Sequence, residues 1–174
     1  GIPASRLLIT NLVFGIGWQA MGAGFNATVR AIEKHNGSLY VGGDFTASGA
    51  TPIGYIARWT GSAWQQVGLG LNGPCYALKS YNGYLYAGGT FTSAGGSATG
   101  GLGRFDGTNW LTVGGFFSGS VYALSIYNNE LVIGGQYPGI NSSPNLARYN
   151  GSVYSTYSTG GTNAPVRALT VSNS

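Results

Sequence analysis

Glu33, Asp44, Asp106, Glu130 and His35 are the acids and the histidine on which acid–base chemistry in this chain would have to rest. Hydrolysis of a glycosidic bond by paired carboxylates would draw on the same four acids. A copper site built on several His and Tyr ligands is ruled out by the single His35. Calcium would need an oxygen-rich acidic loop, and no Asp-x-Asp-x-Asp run occurs. The lone Cys75 excludes both an intramolecular disulfide and a cysteine-based zinc site. No metal and no cofactor are expected. A different chemistry is open to Arg58, Arg104 and Arg148, which recur 46 and 44 residues apart. Such a series could form a ring of guanidinium forks that binds acidic sugars or phosphates. It could equally stack on aromatic rings or bond loop carbonyls between neighbouring units, and a repeated position usually encodes the packing of the repeat itself.

The elements that hold these residues follow from composition and repetition. Of 174 residues 43% are hydrophobic, 13% aromatic and only 7% charged, so the chain can bury a core and fits one domain. Net charge is +4, but the eight Lys and Arg form no run or stripe, which argues against a groove that tracks nucleic acid. The apolar stretch Leu7 to Trp18 is broken by Thr10, Asn11 and glycines, well short of the ~20 residues of a membrane span. No bilayer-crossing segment is expected.

The repeat is a unit of about 46 residues. Asn36-Gly37, Asn82-Gly83 and Asn128-Asn129 are spaced by 46, as are Gly42-Gly43, Gly88-Gly89 and Gly134-Gly135, and Trp18, Trp64, Trp110 and Tyr154 follow at 46, 46 and 44. Each unit reads as an apolar strand (Val29 to His35 in the first), an Asn-Gly turn, a second strand ending in Gly-Gly, a polar loop, a third strand (Tyr55 to Trp59) and a Trp-led fourth. Gly-Gly inside a strand weakens it unless another group approaches closely. Ala31, Ala77, Ala123 and Ala168 mark the first strand, where small side chains suit a narrow centre. His35 stands where the other units carry Tyr81 and Tyr127, and Cys75 stands where they carry Val29 and Val121, so both read as packing residues. Phe45, Phe91 and Tyr137 read as loop anchors.

An apolar run ending in Gly-Gly, followed by an aromatic and a Trp in later strands, resembles the kelch-type repeat. The segments "LYVGGDFTASG", "LYAGGTFTSAGG", "IARWTGSAW" and "LGRFDGTNW" are similar to the kelch-like repeats of secreted bacterial surface proteins and of phage tail or fibre proteins. The resemblance implies an all-β fold: a β-propeller of four-stranded antiparallel blades at about 29–68, 75–114 and 121–157, with partial blades at 1–22 and 166–174. A linear stack of hairpins is the competing architecture. The expected function is a non-catalytic, surface-exposed module for adhesion, for glycan or protein recognition, or for scaffolding a virion or cell surface. The alternative is a propeller domain of a carbohydrate-active enzyme whose catalytic groups lie outside this chain. Expected partners are a protein or glycan surface, further repeats of the same protein, or a second copy that closes the ring. The partial units are complementary in kind and could join into a fourth blade or be pooled between two chains, but completion by a longer chain is the leading expectation, because the sequence has no initiating Met, ends in mid-hairpin and would leave a first-strand edge unpaired. Asn26-Ala27-Thr28, Asn36-Gly37-Ser38, Asn141-Ser142-Ser143 and Asn150-Gly151-Ser152 match the N-glycosylation sequon, as chance allows in a chain so rich in Asn, Ser and Thr.

Overall fold

A computed structural model describes residues 20–114, 118–138, 144–157 and 162–171. Among these, every regular element is a β-strand, and three four-stranded antiparallel sheets dominate. The first joins β1 (Val29–His35) and β2 (Ser38–Gly43) to β5 (Ile56–Trp59) and β6 (Trp64–Gln66). Within the loop of that sheet sits a short hairpin of β3 (Ala47–Ser48) and β4 (Thr51–Pro52). The second sheet contains β7 (Cys75–Tyr81), β8 (Tyr84–Gly89), β11 (Leu102–Phe105) and β12 (Trp110–Thr112), with the hairpin of β9 (Ser93–Ala94) and β10 (Ser97–Ala98) in the matching loop. The third runs β13 (Ser120–Tyr127), β14 (Glu130–Gln136), β15 (Leu146–Tyr149) and β16 (Tyr154–Ser155). In all three, strand order follows chain order, as in a meander.

The tight turns between the first two strands work because their residues tolerate positive φ. Asn36 and Gly37 take φ of 46° and 79°, Asn82 and Gly83 repeat those values, and Asn128 and Asn129 take 48° and 60°, the requirement of a type I′ hairpin. The expected third strand is one residue shorter than the reading from Tyr55, since Tyr55 is left-handed at φ 63° and the ladder begins at Ile56. The loop between second and third strands, expected only as a polar connection, contains the small hairpins instead. Asn26 and Asn72 explain this order: each side-chain oxygen accepts two backbone N–H groups, of Thr46 and Ala47 or of Thr92 and Ser93, while the amide donates to Thr46 or Thr92 Oγ1. Phe45, Phe91 and Tyr137 lie buried at the start of these loops.

Gly-Gly serves two separate close approaches. A Cβ on Gly43, Gly89 or Gly135 would stand 2.0–2.1 Å from the carbonyl oxygen of Thr28, Pro74 or Ser120, the residue leading into the first strand of the same sheet. Its preceding glycine meets the next unit: a Cβ on Gly42, Gly88 or Gly134 would lie 2.5, 2.5 or 2.6 Å from Cys75 Sγ, Val121 Cγ1 or Val166 Cγ1. Each sheet is thus keyed into the next one's first strand, and the sheets pack as successive blades. Cys75 and Val121 are 0% exposed in consequence, whereas their counterpart Val29 on β1 is 44% exposed, and Ile32 is 63% exposed. β1 is therefore less buried than its counterpart β7. Burial also pushes the Cys75 thiol up to about 12, which leaves it inert. Segment 166–171 occupies a first-strand position, with Val166 against Gly134 and its N–H donating to Gly135 O, although no ladder forms there. Of the partial unit expected at 1–22, residues 1–19 fall outside the described residues, and residues 20–22 form no strand.

In every blade the first strand carries a β-bulge just inside its start, between Val29 and Ala31, Cys75 and Ala77, and Val121 and Ala123. Two residues there face one on the partner strand, which re-aims the extra side chain. Those extra residues are Arg30, Tyr76 and Tyr122, and Arg167 holds the corresponding place before Ala168. All four line one cavity of about 420 Å³. Packed sheets stand about 10 Å apart, so in a linear stack the first and fourth units would be separated by about 30 Å. A shared cavity of this size requires the blades to turn about an axis, which rejects the linear stack.

Candidate binding site at the axial mouth

The four bulge-position side chains form a continuous row. Arg30 lies over the Tyr76 ring at 5.1 Å, Tyr76 and Tyr122 are 5.7 Å apart between centroids, and Arg167 lies over Tyr122 at 5.1 Å. The first three are each backed by the residue that follows Gly-Gly in their own blade. Arg30 donates from Nε and Nη2 to the two carboxylate oxygens of Asp44, both at 2.7 Å, while Thr90 Oγ1 contacts Tyr76 Oη at 3.5 Å and Tyr122 Oη donates to Gln136 Oε1 at 3.2 Å. That fork holds the Asp44 carboxyl below its usual range and raises Arg30. Among the described residues Arg167 has no carboxylate partner. Hence the mouth carries one neutralised and one uncompensated guanidinium, two aromatic walls and a polar rim.

Arg58, Arg104 and Arg148 lie elsewhere, one on the third strand of each blade. Arg104 lies 4.7 Å over the Tyr84 ring, beside the tyrosine cluster that joins the second and third blades through Tyr86 and Tyr149. Arg148 donates from Nη1 to Glu130 at 3.0 Å and lies 5.5 Å over Tyr157. Nε of both is buried without a hydrogen-bond partner. Only Arg58 is exposed and without an ion pair or ring contact among the described residues; it borders a groove of about 280 Å³ with Tyr40, Gln66 and Phe105.

The residues that sequence offered for acid–base work are each engaged. Glu33 accepts the Ser80 N–H at 3.0 Å and pairs with Lys79 at 3.3 Å, Glu130 pairs with Arg148, and Asp106 accepts the Thr108 and Asn109 N–H groups in its turn. Thr60 and Asn150 play that turn role in the other blades. His35 Nδ1 is 2.8 Å from Ser80 Oγ, a spacing that suits a nucleophile and its base. Its other nitrogen, Nε2, lies 3.1 Å from the Asn36 side-chain amide, so both ring nitrogens are taken up by neighbouring side chains.

Burial lowers the His35 pKa, opposed by the charge of Glu33. A depressed folded-state value means that the unfolded chain binds the extra proton first, so stability is lost as pH falls below about 6.5. Replacing His35 with tyrosine, as in the other units, should flatten urea-denaturation midpoints between pH 7.5 and 5; an unchanged pH slope would assign the effect to another group.

Four-stranded antiparallel blades keyed around an axis define a β-propeller. A sequence model of the Rax2 C-terminal beta propeller domain matches residues 77–174, more than half of the chain, and the chain belongs to that family. Among solved structures, the crystal structure of the computationally designed Ika4 protein is similar at 15% identity, with a TM-score of 0.56 over 90% of this chain and 89% of that one. That likeness speaks for the fold alone. No curated protein sequence matches the chain. Among the described residues no group of three His, Cys, Asp and Glu could hold a metal ion, and no helix is long and apolar enough to cross a membrane.

The axial residues leave little mark in the sequence, because a repeat shows itself through identical residues. Positions 30, 76, 122 and 167 read Arg, Tyr, Tyr and Arg, each beside an alanine that every unit repeats. Their signal was variation at a fixed spacing next to a constant residue.

Proposed function

We propose that this propeller is a non-catalytic, surface-exposed module that binds a glycan or protein partner, built from kelch-like repeats and working outside a cell or on a virion surface. The observation that carries the reading is the axial mouth, where a constant backbone bulge presents side chains that differ between blades. Loops and irregularities on a rigid scaffold are where recognition is commonly placed. Further support comes from the four acids, each held in an ion pair or a turn. In this reading Arg104 and Arg148 serve packing, and Arg58 borders a separate groove and takes no part in binding at the axial mouth. Screening the protein on a glycan array and a panel of surface proteins, alongside a glycoside hydrolase panel, tests it. Binding without turnover is expected. Turnover abolished by replacing Glu33, Asp44, Asp106 or Glu130 would overturn the non-enzyme reading, and silence on every panel would overturn the binding reading.

A further inference from the structure

The composition of the axial mouth restricts its ligand, and the restriction rests on the binding role proposed above. Arg30 spends Nε and Nη2 on Asp44, so its charge is cancelled within the blade. Arg167 is exposed, lies over Tyr122 and meets no carboxylate among the described residues. The cavity thus offers a single net positive charge on a planar fork. A carboxylate matches that fork in charge and shape. A phosphate dianion would call for a second uncommitted cation, and Asp44 would repel it. Beside the fork the cavity is lined by Tyr76 and Tyr122, whose hydroxyls, bonded to Thr90 Oγ1 and Gln136 Oε1, are neutral groups suited to hydroxyls of a ligand. The Tyr76 and Tyr122 rings add an apolar wall. About 420 Å³ lies within the range of roughly 300–1,000 Å³ typical of small-molecule sites.

We propose that the axial mouth formed by Arg30, Tyr76, Tyr122 and Arg167 binds the carboxylate of an acidic sugar, a uronate, with Arg167 on the carboxylate and the Tyr76 and Tyr122 hydroxyls on the ring hydroxyls. Asp44 has a positioning role: it fixes Arg30 and removes its charge from the ligand balance.

Isothermal titration with D-glucuronate, D-glucose, glucose 6-phosphate and a tripeptide with a free carboxyl terminus tests this on the full chain. Glucuronate should bind at least tenfold more tightly than the other three. Arg167→Gln should cost at least tenfold and Tyr122→Phe a few-fold, while Arg58→Gln, in the separate inter-blade groove, should leave affinity unchanged. Circular dichroism and thermal melting of each variant establish that the fold persists, and Arg167→Lys, which keeps charge without the fork, should recover only part of the loss. Equal affinity for glucose, tighter binding of the phosphate or the tripeptide, or full affinity in Arg167→Gln would each overturn the assignment. Glycan-array binding that is indifferent to Arg167 would overturn the uronate site and leave the binding module standing, whereas no binding on any panel removes both.

Discussion

Alanine at Gly89 is expected to destabilise the fold severely. Its Cβ would stand 2.0 Å from the Pro74 carbonyl oxygen and 2.8 Å from Phe91 Cδ1. The first of these is backbone at the start of β7, held because the same carbonyl accepts the Thr90 N–H at 3.1 Å, so the clash cannot be relieved by a rotamer change. Relief means shifting the bulge, and with it the side chain of Tyr76 at the axial mouth. A loss of about 3–5 kcal/mol is expected, at the upper end for a single substitution and comparable to much of a domain's total stability. Gly88→Ala provides the contrast, because its Cβ meets a side-chain methyl, Val121 Cγ1, at 2.5 Å. Combining it with Val121→Ala should return part of the lost stability, a coupling that the Gly89 variant lacks. Chemical denaturation of the three proteins reads this directly; equal losses at Gly88 and Gly89, unaffected by Val121, would mean that the two glycines do not serve separate contacts.

Removing the Trp110 side chain is the second large effect. Trp110 is buried between blades, its ring 5.3 Å from Phe105 and in reach of Gly68 and Gly95, and its Nε1 donates to Val67 O at 2.9 Å. The same clasp recurs where Trp64 Nε1 donates to Met21 O at 2.8 Å and where Tyr154 Oη donates to Val113 O. Each ties a fourth strand to the segment preceding its blade. Trp110→Ala should cost about 3–5 kcal/mol through lost burial and the cavity left behind. Trp110→Phe keeps most of the apolar area but leaves the Val67 carbonyl without its donor, and about 1–2 kcal/mol is expected. Melting curves that place the two variants together would show that the hydrogen bond, and not the packing, carries the contribution.

The contrast between these residues and the axial ones explains what could be read from sequence. The clasp was legible as Trp64, Trp110 and Tyr154 at near-constant spacing, and the Gly-Gly pairs, the Asn turns and the first strand Val29 to His35 were legible for the same reason: identical packing problems receive identical residues. Even the substitution of Tyr154 for Trp preserves an aromatic ring with one donor. The bulge was not legible, because it depends on how a strand meets its partner's Gly-Gly and not on the propensity of Arg30, Tyr76 or Tyr122. Nor could spacing tell that Arg58 stays exposed while Arg104 and Arg148 are drawn into tyrosine contacts. The difference lies in their surroundings, since Arg104 finds Tyr84 and Tyr86, Arg148 finds Glu130 and Tyr157, and Arg58 borders an open groove. Exposure of Ile32 likewise follows from which neighbour a blade has, a property of the assembly that no single repeat encodes.

The most direct measurement is an amide chemical-shift map of the ¹⁵N-labelled protein titrated with D-glucuronate. Binding at the axial mouth predicts that the saturable shifts centre on Arg30, Tyr76, Tyr122 and Arg167 and on the backing residues Thr90 and Gln136, and that they leave Arg58, Arg104 and Arg148 unmoved. Shifts centred on Arg58 and the groove beside Phe105, or spread along the third strands, would contradict it.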